Sequence, residues 1–290
     1  MTYRDYIAGD QVTLGVAPTG YRYSTENNPA LPVSPEAVAT ETAESISLGA
    51  SLVHLHGRDD DGNPAPDRLP QFGEAVRDRC GADVLLEYAV GPDCPTGDYL
   101  DILDSTPRPD LAAVRLGSSQ YGYRSTTGRS RRDTDRLVTE LTDRGIKPNL
   151  HVTGGSDIHE LSRLREESML ADPPVVTVQL GAPTGAVASP LSLLALLDAI
   201  PHRAHCFVRA TGPNQYPMTA LAFCMGAHPM VGMADNLFFA PDTPVESNAQ
   251  LVRTMTQLSA QSLRGLADID AARELLALPT ELREANDVRP

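Results

Sequence analysis

The chain has 290 residues, 41% hydrophobic and 21% charged, which describes a globular protein long enough to bury a large core without staples. A net charge of −14 argues against a general nucleic-acid surface, and no run of about 18 apolar residues is present to span a membrane. The start, MTYRDYIAGD, lacks a basic stretch followed by an apolar one, so no secretory signal is expected. Cys80, Cys94, Cys206 and Cys224 have no CxxC spacing and read as free thiols of a cytoplasmic protein.

Eight short apolar segments recur in chain order, at 13–17, 52–56, 84–89, 112–116, 149–153, 175–180, 206–210 and 230–233. They are rich in Val and Leu, as parallel strands covered on both faces should be. Helical patterns lie between them. Ser34-Pro35 offers an N-cap and a first-turn proline before Val38, Ala39, Ala43 and Ile46. Residues 131–144 set Leu137, Val138 and Leu141 on one face; Ser189-Pro190 opens 191–200; 247–263 carries Leu251, Val252, Met255 and Leu258. Alternating β and α units in this number predict an α/β fold, a (β/α)8 TIM barrel, as one domain over 1–278 with a polar tail at 279–290. A doubly wound open sheet is the competing architecture, but no GxGxxG follows the first strand.

A barrel places chemistry at the C-terminal ends of its strands. In Leu52-Val-His-Leu-His-Gly-Arg-Asp59, His54 and His56 are two apart and share a face of the strand. Two imidazoles so placed can chelate a divalent metal, most often zinc; a hydrogen-bonded pair beside a loop is the plainer alternative. Glu87 interrupts an apolar strand, where an unpaired carboxylate is costly, so a metal or an arginine such as Arg115 should accompany it. Arg115 and Arg209 sit inside apolar strands, and buried arginines are paired or bind carboxylates and phosphates. Asn149, His151 and Thr153 share a face of the fifth strand, with His151 a third ligand, a base or a hydrogen-bonded core residue. Asp235 closes the eighth strand as a base or an orienting group. His159, His202 and His205 read as surface residues and His228 as structural. The loop Gly181-Ala-Pro-Thr-Gly185 offers amides for a phosphate, although a plain loop is the favoured reading. No nucleophile elbow is present.

Longer blocks carry a resemblance. Val16-Ala-Pro-Thr-Gly20, Asn28-Pro-Ala-Leu-Pro-Val-Ser-Pro-Glu36, residues 49–62 around the two histidines, Val178-Gln-Leu-Gly181 and Val231-Gly-Met-Ala-Asp-Asn236 resemble the β-keto acid cleavage enzymes, in order along nearly the whole chain. The resemblance implies a TIM barrel, a homo-oligomer (dimer or tetramer) and a divalent metal, typically Zn2+. It implies condensation of a β-keto acid with acetyl-CoA to give acetoacetate and a new acyl-CoA. It assigns the metal to His54 and His56 and a functional aspartate to Asp235. The chain departs from the pattern at four positions. Met230 and Ala234 stand where the family carries an arginine and a metal-binding glutamate, Ala89 beside Tyr88 where it carries a serine, and Arg22 near an acidic position. Compensation is one reading: Glu87 or His151 completes the metal set, Arg115 or Arg209 binds the substrate carboxylate, Tyr88, Asn149 and Thr153 line the site, and Arg22 favours a neutral or anionic distal group. A metal-dependent hydrolase or lyase without CoA, or a non-catalytic carboxylate binder, are the alternatives.

Overall fold

Eight parallel strands close into a barrel in chain order: β1 (Gly15–Val16), β2 (Leu52–Leu55), β3 (Leu85–Tyr88), β4 (Leu111–Arg115), β5 (Lys147–Val152), β6 (Val175–Leu180), β7 (His205–Ala210) and β8 (His228–Val231), with β8 pairing back onto β1. The computed structural model describes residues 11–279 apart from 92, 122–124, 184, 201–202 and 263. The expected tail beyond residue 279, and His202, lie outside the described residues. One helix follows each strand: α1 (Pro35–Ser47), α2 (Leu69–Cys80), α3 (Thr96–Leu103), α4 (Arg131–Asp143), α5 (Gly155–Glu166), α6 (Pro190–Ala199), α7 (Gln215–Cys224) and α8 (Asn248–Ala260). A last helix, α9 (Ile269–Leu275), crosses the N-terminal end of the barrel. This is the (β/α)8 TIM barrel that the alternation predicts. Among the described residues no helix is long and apolar enough to cross a membrane.

Local sequence starts the helices where expected. Ser34, Ser189 and Ser247 each accept a hydrogen bond from the backbone N–H three residues on, and Pro35 and Pro190 occupy first-turn positions.

Strand periodicity sorts the side chains into two environments. Outward residues such as Val53, Leu55, Leu86, Tyr88, Val114 and Val208 join the core between barrel and helices. Inward residues form an apolar plug at the N-terminal end, where Leu52, Leu85, Leu111, Val175, Phe207 and Met230 pack with Ala272 and Leu276 around α9. Further up the barrel most inward residues turn polar: His54, Glu87, Asn149, Thr177 and Arg209, all buried. The barrel is therefore dry and sealed below and hydrogen-bonded above.

The ends of β8 differ from expectation. The strand covers His228–Val231 and stops at Gly232, whose φ of +148° favours glycine and whose Cβ, if present, would lie 2.1 Å from the Ala17 carbonyl oxygen. The chain turns there: the N–H of Ala234 donates to Ala17 O, and those of Asp235 and Asn236 donate to Gly232 O. Gln215 Nε2 donates to Gly232 O at 3.0 Å, and the N–H of Met233 donates to Asn248 Oδ1 at 2.8 Å. Asp235 thus sits in a braced turn beyond the strand rather than at its end. Gly232→Ala should destabilise the fold by about 2–4 kcal/mol, because it combines strain with a backbone clash; urea unfolding measures the loss, and a loss below about 0.5 kcal/mol would show that the turn can relax.

Candidate metal centre

β2 presents His54 and His56 into the barrel, with their Nε2 atoms 3.1 Å apart. Both rings are tied from behind. His56 Nδ1 lies 2.8 Å from the Ala89 carbonyl oxygen, and His54 Nδ1 lies 2.8 Å from Glu87 Oε2. A carbonyl or carboxylate oxygen can only accept, so both Nδ1 atoms carry hydrogen. Burial holds both rings below the ordinary histidine range, so they are neutral and their Nε2 atoms carry lone pairs rather than hydrogens. Arg209 and the neighbouring His54 push His56 further down.

Two lone pairs that converge in this way repel unless a cation or an N–H lies against them. In a tetrahedral zinc site with Zn–N of about 2.0–2.1 Å, two ligand nitrogens stand about 3.3 Å apart. The imidazole pair therefore fits a divalent cation. Arg209 Nη1 already donates to His54 Nε2 at 2.7 Å.

The residues around the pair form one buried network. Glu87 is fully buried on β3, beside His54 in register. Burial opposes its charge, but His54 and His151 outweigh it and hold the carboxyl below the usual carboxylate range. Asn149 Nδ2 donates to Glu87 Oε1 at 2.7 Å and, through Oδ1, accepts from the Thr177 hydroxyl at 3.0 Å. His151 Nε2 is 3.5 Å from Glu87 Oε1, and burial lowers its pKa to about 4. His54, Glu87 and His151 have ligand atoms within 4.8 Å of one another. Glu87 approaches the Nδ1 side of His54, so it orients that ring rather than facing the Nε2 pair. On the other side, Arg209 Nε donates to Asp235 Oδ2 at 2.7 Å, and Gln179 Nε2 donates to Asp235 Oδ1 at 3.3 Å.

Above the pair a cavity of about 190 Å³ is lined by His54, His151, Arg115, Arg129 and Tyr21, among others. Arg115 Nη2 donates to the Tyr21 hydroxyl at 3.1 Å, and that hydroxyl donates to Val90 O. The Tyr21 ring packs edge-on against His56, with centroids 4.3 Å apart.

Three residues expected at the site lie elsewhere. Tyr88 points outward because it differs in parity from Glu87; its hydroxyl donates to Pro107 O at 2.9 Å in the helix layer. Thr153 donates through both N–H and Oγ1 to Asp157 Oδ2, which ties it to the first turn of α5. Arg22 Nη1 contacts Thr211 Oγ1 at 3.3 Å on the rim above β7. The glycine loop after β6 is a plain loop: the N–H groups of Gly181, Gly185 and Ala186 donate to the carbonyls of Ala186, Ala182 and Thr153. His228 is structural, its Nδ1 accepting from Thr13 N–H at 3.1 Å, while His205 is partly buried beside it rather than on the surface. Sequence reading missed Gln179, Tyr21 and Arg129. Gln179 was findable by parity from Thr177, whereas Tyr21 and Arg129 lie on connections whose direction no periodicity reports.

A closed (β/α)8 barrel with a buried histidine pair, carboxylates and an arginine at its C-terminal mouth defines the class of this protein. Within that class the chain belongs to the beta-keto acid cleavage enzyme family, whose sequence model matches residues 11–278. It is 28% identical over 271 residues to the 3-keto-5-aminohexanoate cleavage enzyme of Fusobacterium nucleatum subsp. nucleatum, covering 93% of this chain and 98% of the relative. It is 26% identical over 273 residues to the 3-oxoadipate:acetyl-CoA acetyltransferase of Cupriavidus necator, covering 92% and 95%. Among solved structures, the binary complex of ObcA with oxaloacetate shares the fold, with a TM-score of 0.70 at 18% identity, covering 86% of this chain and 68% of that one.

Two substitutions separate the inward and outward faces of β3. Glu87→Leu strands the Asn149 amide and the His54 N–H, and should cost about 3–5 kcal/mol of stability. Tyr88→Phe removes one hydrogen bond and should cost about 1 kcal/mol. Equal losses in urea unfolding would contradict the assigned parity.

Proposed function

We propose that the chain is a divalent-metal-dependent acyltransferase, with zinc the favoured ion, that condenses a β-keto acid with acetyl-CoA. The observation that carries this reading is the pair of unprotonated Nε2 atoms of His54 and His56, 3.1 Å apart with both Nδ1 hydrogens already committed; a metal there would take the place of the Arg209 hydrogen bond to His54. Family membership supports the chemistry. A metal held by the two histidines would supply Lewis-acid polarisation of the keto acid.

The chain's own residues do the rest. His151 lines the cavity and lies 3.5 Å from Glu87 Oε1, whose charge would steady the imidazolium as it forms, so it is the group placed to take a proton from the carbon between keto and carboxylate groups. That carbon attacks the acetyl thioester and displaces the coenzyme thiolate. The thiolate then attacks the original keto carbon, and the bond between that carbon and the former nucleophile breaks. The carbanion released by that cleavage takes back the proton held by His151, and the products are acetoacetate and the new acyl-CoA. Arg209 stands beside the pair as a fixed cation, where negative charge on oxygen is stabilised as it develops. Asp235 positions Arg209, since both of its oxygens already accept hydrogen bonds. Glu87 and Asn149 position His54.

Elemental analysis of the purified protein should find about one divalent metal per chain, lost in His54→Ala/His56→Ala. Acetoacetate formation from a panel of β-keto acids with acetyl-CoA should fall at least about 10³-fold in that double variant. Wild-type protein that stays metal-free in excess zinc, or a metal-loaded protein that forms no acetoacetate from any acid on the panel, would overturn the proposal.

A further inference from the structure

We propose that the N-terminal end of the barrel, opposite the histidine pair, carries an oxyanion site built by Lys147, His205, His228 and Thr13. It takes a free tetrahedral oxyanion of the phosphate or sulfate class. The site goes beyond the keto-acid reading above and does not depend on it.

The sequence singles out the position. Lys147 is the only lysine of a chain otherwise furnished with arginine. A lysine brings a compact point charge where an arginine brings a planar fork. Strand periodicity then gathers its neighbours. Lys147 opens β5 on the inward parity of Asn149, and His205 opens β7 on that of Phe207. His228 opens β8 on the parity of Met230, and Thr13 precedes β1 on that of Ala17. All four therefore face the same end of the barrel, below the apolar plug. The His205 and His228 rings lie 5.6 Å apart between centroids, and Thr13 N–H donates to His228 Nδ1 at 3.1 Å. α9 occupies the other half of this end, where Arg273 Nη2 donates to Asp110 Oδ1 just before β4.

The four groups meet with donors left over. Lys147 and His228 are more than nine-tenths buried, Thr13 is wholly buried, and His205 is partly so. Among the described residues the Lys147 ammonium, the His205 ring and the Thr13 hydroxyl have no hydrogen-bond partner. Burial keeps the His228 ring neutral, with a pKa of about 3. Its Nδ1 accepts from Thr13, so its one hydrogen is on Nε2, and that N–H has no acceptor among the described residues either. Buried polar groups are almost always paired, and donors orphaned together mark a place for an acceptor.

The field at this end is positive. The Lys147 charge adds to burial in holding His205 below the ordinary histidine range, and Arg264 acts on His228 in the same sense. The carboxylates nearby do not fill the gap. Asp172 attracts Lys147 but is exposed and forms no ion pair with it, and Asp110 is held by Arg77 and Arg273. Donors that approach from three strands and the run into a fourth suit a tetrahedral anion, whose oxygens point four ways, better than a planar carboxylate. Lys147 is only 7% exposed and His228 5%, which admits an ion rather than the phosphate ester of a larger molecule.

The lone lysine makes the test direct, because protein labelled with 13Cε-lysine gives one side-chain signal. That signal should move saturably with inorganic phosphate at constant ionic strength, half-saturating at or below about 1 mM, and should not follow chloride. Thr13→Val keeps the shape and removes the hydroxyl, and should weaken phosphate binding about 10-fold. Lys147→Met loses the signal, so thermal unfolding reads it: phosphate should raise the wild-type midpoint and leave that variant's unchanged. His54→Ala/His56→Ala should titrate as wild type does; a response lost in that variant would place the anion at the opposite end of the barrel and overturn the site. AMP, a bulkier phosphomonoester, should bind at least about 10-fold more weakly than phosphate, and equal or tighter binding would overturn the assignment to a free ion. A lysine signal that drifts linearly with phosphate, or follows chloride equally, would leave these groups to water and overturn the site as well.

Discussion

The buried carboxylate of Glu87 is the constraint on which the rest of the site depends. A charge with no exposure is tolerated only if its oxygens are filled. Oε1 takes the Asn149 amide and Oε2 takes the His54 ring N–H, with His151 close by. Each partner is fixed in return. Asn149 is oriented by Thr177, and His54 is left with a single tautomer that sends its unprotonated nitrogen toward His56 and Arg209. The geometry of the histidine pair follows from satisfying one carboxylate on the neighbouring strand, because a ring nitrogen's role is set by the bond its partner nitrogen makes.

In the proposed reading, the chain's departures from the family pattern move charge rather than delete it. Met230 belongs to the apolar plug around α9 and Ala234 is buried, so both positions are apolar in this chain. Glu87 on β3 and Arg209 on β7 instead supply one buried anion and one buried cation on either side of the pair. Arg209 also reaches Asp235 in the turn after β8, so a cation beside that aspartate is retained although β8 itself contributes none. A barrel allows this exchange because inward side chains from several strands converge on the same small space.

The sequence made the barrel legible because buried parallel strands are short, apolar and evenly interrupted by capped helices. It also exposed His54, Glu87, His151 and Arg209, since polar groups inside apolar strands need partners, with His56 two residues from His54 and Asp235 marked by the resemblance. Periodicity failed at the strand ends. Tyr88 is one residue from Glu87 and was grouped with the site, yet a shift of one reverses the face. Gly232 ended β8 early through its contact with Ala17, and no local pattern announces a clash between residues so far apart in sequence. Thr153 lies on the inward parity of β5, but Asp157 captures both its donors. Arg129 was invisible because a hairpin, not a strand, carries it back to the mouth.

That division has a functional logic. The histidine pair and its buried carboxylate sit on strands or at their ends, where the barrel's hydrogen bonds and the α9 plug hold them rigidly. Tyr21 and Arg129, which line the cavity, sit on connections, after β1 and beyond an inserted hairpin, where the chain can change length and composition at little cost to the core. In the proposed reading, a scaffold arranged in this way keeps one carbon–carbon chemistry while its connections set which acid is admitted. Arg115 bridges the two regimes. It begins on a strand, in register with His151, and ends against Tyr21, whose ring packs on His56, so a change in the connection after β1 reaches the histidine pair through a strand residue that cannot move with it.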